Sequence, residues 1–225
     1  MNIINNIQLD MPDDIGRDFL TKLMGGRLIP RMEEMLADKR GICIDALEPA
    51  AVYDTFDIRN IEGDSVYFKS GHIFYGPNIS KILKGSETAS VFIYTLGKKI
   101  DDLIKKERDT GDTLETIIMD AVTTSMLGTV GEYVGKIIKE SNIAQNNYGA
   151  TCRYSPGQYK WTIKEQKEIF NMVDASRIGV SLNNSFLMIP FKSVSGIYGF
   201  GPEDRINKTR VACDLCPREN CIGRR

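Results

Sequence analysis

Residues 112–140, DTLETIIMDAVTTSMLGTVGEYVGKIIKE, carry an unbroken helical pattern, and the rest of the chain is most easily read outward from them. Leu114, Ile117, Ala121, Leu127, Val130, Val134 and Ile137 recur at the spacing of one helix face, and Asp112 with Glu115 has the form of an N-cap and capping box. Inside this helix Gly128, Gly131 and Gly135 share a face, although each glycine costs roughly 0.5–1 kcal/mol relative to alanine. Something must approach that face closely. Two readings are open: another helix or strand packed backbone to backbone, or a flat ligand or partner surface lying on the stripe.

On the N-terminal side, IGRDFLTKLM (15–24) and IPRMEEMLADKR (29–40) have helical spacing and are punctuated by Gly25 and Gly26. The alternating run at 52–76 predicts a hairpin turning at Glu62-Gly63-Asp64. Pro77 and NISKILKG (78–85) predict a short helix, and SVFIYTLG (90–97) a buried strand. On the C-terminal side, TIKEQKEIFNMV (162–173) predicts another helix, and strand-like alternation begins near Ile178. Helices and strands mix without a βαβ rhythm. The expected class is therefore α+β, a single domain with a mainly antiparallel sheet and the long helix at its centre.

The 225 residues are enough for a substantial core without staples, and no internal repeat, low-complexity tract or long linker divides them. We read residues 1–210 as one domain and 211–225 as a cysteine-rich tail. With 29 Lys+Arg against 30 Asp+Glu there is no electrostatic footprint for nucleic acid or an acidic membrane. No run approaches a membrane span and the first ten residues have no basic, then apolar, leader pattern, so a cytoplasmic protein is expected. Three of the five cysteines crowd the C-terminus, which suits reduced thiols better than a disulfide framework.

The segment RYSPGQYKW (153–161) is unusual in another way. Pro156 presets a turn, Gly157 permits positive φ, and the turn is expected to leave amides available. Arg153 offers a fork for a carboxylate, and Tyr154, Tyr159 and Trp161 offer faces for a purine or a sulfonium. The alternative is an ordinary hydrophobic mini-cluster around a turn. His72 lies in SGHIFYG and reads as a packed histidine. Asp13-Asp14 and Asp101-Asp102 read as helix-start acids, and neither KGSETAS (84–90) nor GFGPEDR (199–205) has the glycine spacing of a phosphate loop.

Taken together, residues 152–200 resemble the activation domain of cobalamin-dependent methionine synthase. Three motifs occur in order: Arg153 with Gly157 (R-x-x-x-G), SFLMIP (185–190), and SVSGIY (193–198). The helix segment 119–134 resembles the family's central helix more weakly. The resemblance implies a C-shaped α+β domain that binds S-adenosylmethionine in a shallow groove and docks on a cobalamin module. There, with an electron from a flavodoxin- or ferredoxin-like donor, it supports remethylation of inactive cob(II)alamin. As a free-standing protein it would be a methyltransferase activation subunit acting in trans. Carried over by motif, Arg153, Ser155, Pro156, Gly157 and Tyr198 would contact the ligand, with Tyr159 and Glu132 as weaker candidates. The sequence departs from the pattern at Gln158, where the family has tyrosine, and at Gly128, where our alignment puts a glutamate. Asp10, Asp13 and Asp14 are candidates for a ligand-binding aspartate.

The tail CDLCPRENCIGRR (213–225) lies outside that pattern. Cys213, Cys216 and Cys221 form C-x2-C-x4-C, which suits zinc or an iron–sulfur cluster if Cys152 supplies a fourth ligand, while a reduced tail without metal is the alternative. Three functions therefore stand at the level of sequence. One is S-adenosylmethionine-dependent reactivation of methionine synthase or a related corrinoid methyltransferase. The second is a docking and electron-delivery protein that does not use that ligand and carries its electron on a tail cluster. The third is an interaction module with a zinc-binding tail.

Overall fold

The computed structural model describes residues 1–5 and 7–221, with the backbone alone at Gln145. In chain order the elements are β1 (Asn2–Ile4), α1 (Arg17–Leu23), α2 (Pro30–Asp45), β2 (Ala50–Glu62), β3 (Ser65–Phe68), β4 (Ile73–Tyr75), α3 (Pro77–Ile82) and β5 (Thr88–Thr95). There follow α4 (Lys98–Thr110), α5 (Thr113–Asn146), β6 (Gly149–Ala150), α6 (Gln166–Met172), β7 (Ser181–Leu182), β8 (Met188–Ile189) and β9 (Ser193–Gly201). Among the described residues seven strands form one curled antiparallel sheet in the order β4-β3-β2-β5-β9-β6, with β1 beside β2, and β7 and β8 pair separately.

The expected hairpin is present, with Gly63 at φ 55° between β2 and β3. The predicted strand at 90–97 is β5, the middle of the sheet. It pairs with β2 from Ala50↔Thr95 to Asp57↔Thr88 and with β9 from Thr88↔Phe200 to Thr95↔Ser193. Both of its faces are covered, which is why its sequence runs almost continuously apolar. Phe92 and Tyr94 point into a core shared with α1, α2, α4 and α5, and Ala89, Val91 and Ile93 into a second core built on α3, α6 and Trp161.

The long helix extends six residues beyond its expected end, to Asn146, and Asn147 then closes it in the left-handed conformation at φ 52°. Asp112 caps it, accepting the Glu115 amide at 3.0 Å. The Glu115 carboxylate does not complete the box; it reaches Lys39 Nζ on α2 at 2.6 Å, where Glu107 of α4 also binds at 2.7 Å. That triad ties three helices into one layer. The fully buried line of α5 is Ile118, Val122, Met126, Val130, Val134 and Ile138, with Leu114, Ile117, Leu127 and Ile137 on its flanks. The apolar face is wide, and tertiary packing selects its centre.

Candidate functional site

The first core ends, at the C-terminal half of α5, in a groove of about 700 Å³. One wall is α5 itself, through Gly131, Glu132, Gly135, Lys136, Lys139 and Glu140. The opposite wall is Cys152, Arg153 and Gln158 with Tyr198 of β9, and the tail closes one side with Arg210, Val211 and Cys213. Tail, turn and helix are thus brought together from three distant parts of the sequence.

The glycine stripe has a cause that neither sequence reading anticipated. A Cβ on Gly131 would clash with the Tyr94 hydroxyl and lie 2.6 Å from Arg153 Nη1, and one on Gly135 would lie 2.5 Å from the Tyr198 hydroxyl. The glycines accommodate side chains from β5, β9 and the segment at Arg153, not another backbone. Gly128 is half-buried but is not part of the groove.

Arg153 is held by its Nη1–H, which donates to the Tyr94 hydroxyl at 3.1 Å, and its guanidinium faces the groove. Tyr198 is 5% exposed; its ring packs on Phe92 at 5.5 Å, and Lys139 Nζ lies over the ring at 5.0 Å. Tyr198 therefore turns its hydroxyl end toward α5 and shares its ring face with a cation. Glu132 and Glu140, both exposed, contribute the groove's carboxylates. Sequence reasoning named Arg153, Tyr198 and Glu132. It missed Lys136, Lys139, Glu140 and Arg210, whose signal was only their position one to two turns beyond Glu132 or just before the tail cysteines.

The turn after Arg153 differs from its expected role. Its amides are not available. Gln158 Oε1 accepts the Ser155 amide at 2.9 Å, the Gly157 amide donates to the Trp161 carbonyl at 2.8 Å, and the Gln158 amide donates to the Ser155 carbonyl at 3.1 Å. Gln158, which stands where the family has tyrosine, thus closes its own turn while facing the groove. Gly157 has the expected positive φ, 90°, but with Tyr159 it lines a separate shallow depression bordered by Tyr75 and Pro77. Ser155 and Pro156 belong to neither lining; Ser155 Oγ packs against Gly196 of β9.

Nor do the three aromatics offer faces to a ligand in this groove. Tyr154 and Trp161 are each 1% exposed and stack on one another at 5.2 Å, with Phe74 edge-on to Trp161 at 5.4 Å. They are core, and burial pushes the Tyr154 phenol up to about 12. The Tyr159 carbonyl, bonded by the Tyr154 hydroxyl and by Asn78 Nδ2 at 2.9 Å, fastens the turn to that core.

The thiols expected as metal ligands, Cys213, Cys216, Cys221 and Cys152, do not converge among the described residues. Among the described residues no three His, Cys, Asp or Glu side chains gather as metal ligands. The reason is the path of the tail. A short 3-10 turn, Ala212–Leu215, packs Ala212 and Leu215 on the second core, turning Cys213 toward the groove and leaving Cys221 exposed. Cys216 is half-buried, and Cys152 is 9% exposed, its thiol pushed up by burial to about 11. Residues 222–225 lie outside the described residues.

The remaining candidates are structural or distant. Asp10, Asp13 and Asp14 are exposed and outside the groove. Asp101 lies in the first turn of α4 and accepts the amides of Phe191 and Lys192. His72 precedes β4 and meets Glu168 of α6 at 2.7 Å. No helix among the described residues is long and apolar enough to cross a membrane.

A curled antiparallel sheet, a long buried helix and a groove between that helix and the Arg153 segment define an α+β domain with one wall of its groove on the helix and the other on the sheet. Residues 79–211, more than half the chain, match the family described as vitamin B12 dependent methionine synthase, activation domain, and the chain belongs to that family. The fold agrees with a solved structure, described as the crystal structure of the MetH reactivation domain bound to AdoHcy. It is 15% identical with a TM-score of 0.61, over 92% of this chain and 81% of that one. No curated protein matches the chain.

Proposed function

We propose that this domain reactivates a cobalamin-dependent methionine synthase, or a related corrinoid methyltransferase, by holding S-adenosylmethionine in the groove between α5 and Arg153. The observation that carries the reading is the convergence of Arg153, Tyr198 and the charged face of α5 around Gly131 and Gly135 in one groove, within a chain of the activation-domain family. The ligand supplies an electrophilic methyl group; the protein's part is binding and orientation.

The residues fit such a ligand. Arg153 retains donors beyond the one given to Tyr94, enough for a carboxylate. Glu132 and Glu140 can take the amino group, in place of an N-terminal aspartate. The Tyr198 hydroxyl is seated against Gly135, which fixes the tyrosine at the groove wall. The partner would be the cobalamin module, with the electron from a flavodoxin- or ferredoxin-like donor in a reducing cytoplasm. No feature of the described residues favours the alternative of a tail-borne metal relay, since the tail thiols do not converge.

The test is calorimetric titration with S-adenosylmethionine and S-adenosylhomocysteine, with Arg153→Ala as the comparison, followed by reductive methylation of a corrinoid partner. Saturable binding weakened by the substitution is the expected result. Absence of binding at millimolar ligand by folded protein would overturn the assignment.

A further inference from the structure

The arginine of the groove is long and half-buried and would be mobile if left alone, yet here its Nη1 is held by the Tyr94 hydroxyl against α5. We propose that Tyr94 is a positioning residue for ligand recognition: its hydroxyl sets the Arg153 guanidinium, and Gly131 exists to admit that pair against α5. The proposal rests on the reading that the groove takes a carboxylate-bearing adenosyl ligand.

Tyr94 is well suited to be a fixed post. It stands on β5, the middle strand, is 1% exposed, and lies parallel to Phe92 with ring centroids 6.0 Å apart. Phe92 in turn carries Tyr198, so Tyr94 and the groove's Tyr198 share one aromatic support. The Tyr94 hydroxyl accepts from Arg153 Nη1 at 3.1 Å, at the point where α5 has no side chain. A phenol, unlike a carboxylate, orients the guanidinium without neutralising it, so its charge stays available to an anionic group. Ordering the side chain before the ligand arrives also lowers the entropy lost on binding. No motif in the sequence connects Tyr94 with Arg153; 59 positions separate them.

Tyr94→Phe keeps the ring and removes the hydroxyl. With S-adenosylhomocysteine as probe, affinity should fall about tenfold to a hundredfold, the range for a hydrogen bond to a charged group. Affinity for 5′-methylthioadenosine, which has no carboxylate, should not change. In an Arg153→Met background, Tyr94→Phe should have no further effect on S-adenosylhomocysteine. That cycle decides the matter if methylthioadenosine is too weak to measure. Equal loss of both ligands, unchanged affinity, or additive losses in the cycle would overturn the proposal. If wild-type protein binds neither compound, the functional reading fails but the positioning one is still decided. In ¹⁵N-arginine-labelled protein the Arg153 Nε–H should be rigid in wild type and mobile in Tyr94→Phe, and equal mobility in both would refute it.

Discussion

Gly135→Ala and Gly41→Ala are the same chemical change in two helices, and the structure assigns them opposite signs. In an exposed helix the change removes glycine's conformational penalty and stabilises by about 0.5–1 kcal/mol. Gly41, on α2, is such a position, because a Cβ there meets nothing within 4 Å. At Gly135 the new methyl group would lie 2.5 Å from the Tyr198 hydroxyl and 3.3 Å from its Cζ. Tyr198 cannot swing away freely, being wedged between Phe92 and Lys139. Overpacking of this kind costs about 1–3 kcal/mol, so the net effect at Gly135 is a loss of up to about 2.5 kcal/mol. For a chain of this size each kcal/mol is worth roughly 2–4 °C in Tm. Calorimetry with urea titration should therefore show Gly41→Ala melting slightly higher than wild type and Gly135→Ala several degrees lower. Tyr198→Phe should relieve the second defect, since the hydroxyl is the closest atom. A Gly135→Ala protein as stable as Gly41→Ala would show that the helix does not rest on Tyr198.

Lys39→Met should destabilise by about 3–5 kcal/mol in urea, because it strands the buried Glu107 carboxylate; adding Glu107→Gln should recover much of that loss. The Lys39 cluster has a definite pH dependence. The hydrogen bond from Lys39 and the attraction of its charge hold Glu115 below its ordinary 4.5. Burial acts to lower Lys39, but its bonds to Glu107 and Glu115 outweigh it and raise the group above 10.5. The Glu115 contribution is present above 4.5 and lost as pH falls through its folded value. The Lys39 contribution is present below 10.5 and lost as pH rises through its own. The stability gap between wild type and Lys39→Met should thus narrow as pH falls into the acid range, where the stranded Glu107 is protonated and the Glu115 contribution is lost, and as pH rises above 10.5. In a third experiment, timed alkylation at neutral pH with peptide mass mapping should label Cys221 first and leave Cys43 and Cys152 intact until the protein unfolds. Burial raises those two thiols to about 12 and about 11. Early labelling of Cys43 would mean the α2–α5 packing opens readily.

Local rules were enough for the elements. Asp112 as a cap, Gly63 in a two-residue turn, Pro77 at a helix start and the apolar run of β5 act over a few residues, so most of the chain order could be read directly, although α4 was signalled only by the helix-start acids Asp101-Asp102. The strands β1 and β6 escaped notice because two or three residues carry too little pattern. At the groove, the motif spacing picked out Arg153 and Tyr198, which the fold brings to one lining, and the glycine stripe marked a close approach without saying to what.

The tertiary structure decided the rest. Whether an aromatic in the Ser-Pro-Gly turn faces a ligand or a core depends on which side of the sheet the turn packs, and Trp161 and Tyr154 went to the core. Whether C-x2-C-x4-C holds a metal depends on where three thiols point. Packing of Ala212 and Leu215 sent Cys213 to the groove and left Cys221 in solvent. Spacing along the chain limits which groups can meet. The meeting of Tyr94, Gly131 and Arg153 is set by the register of β5 and the seat of α5 on the sheet, which no local pattern encodes.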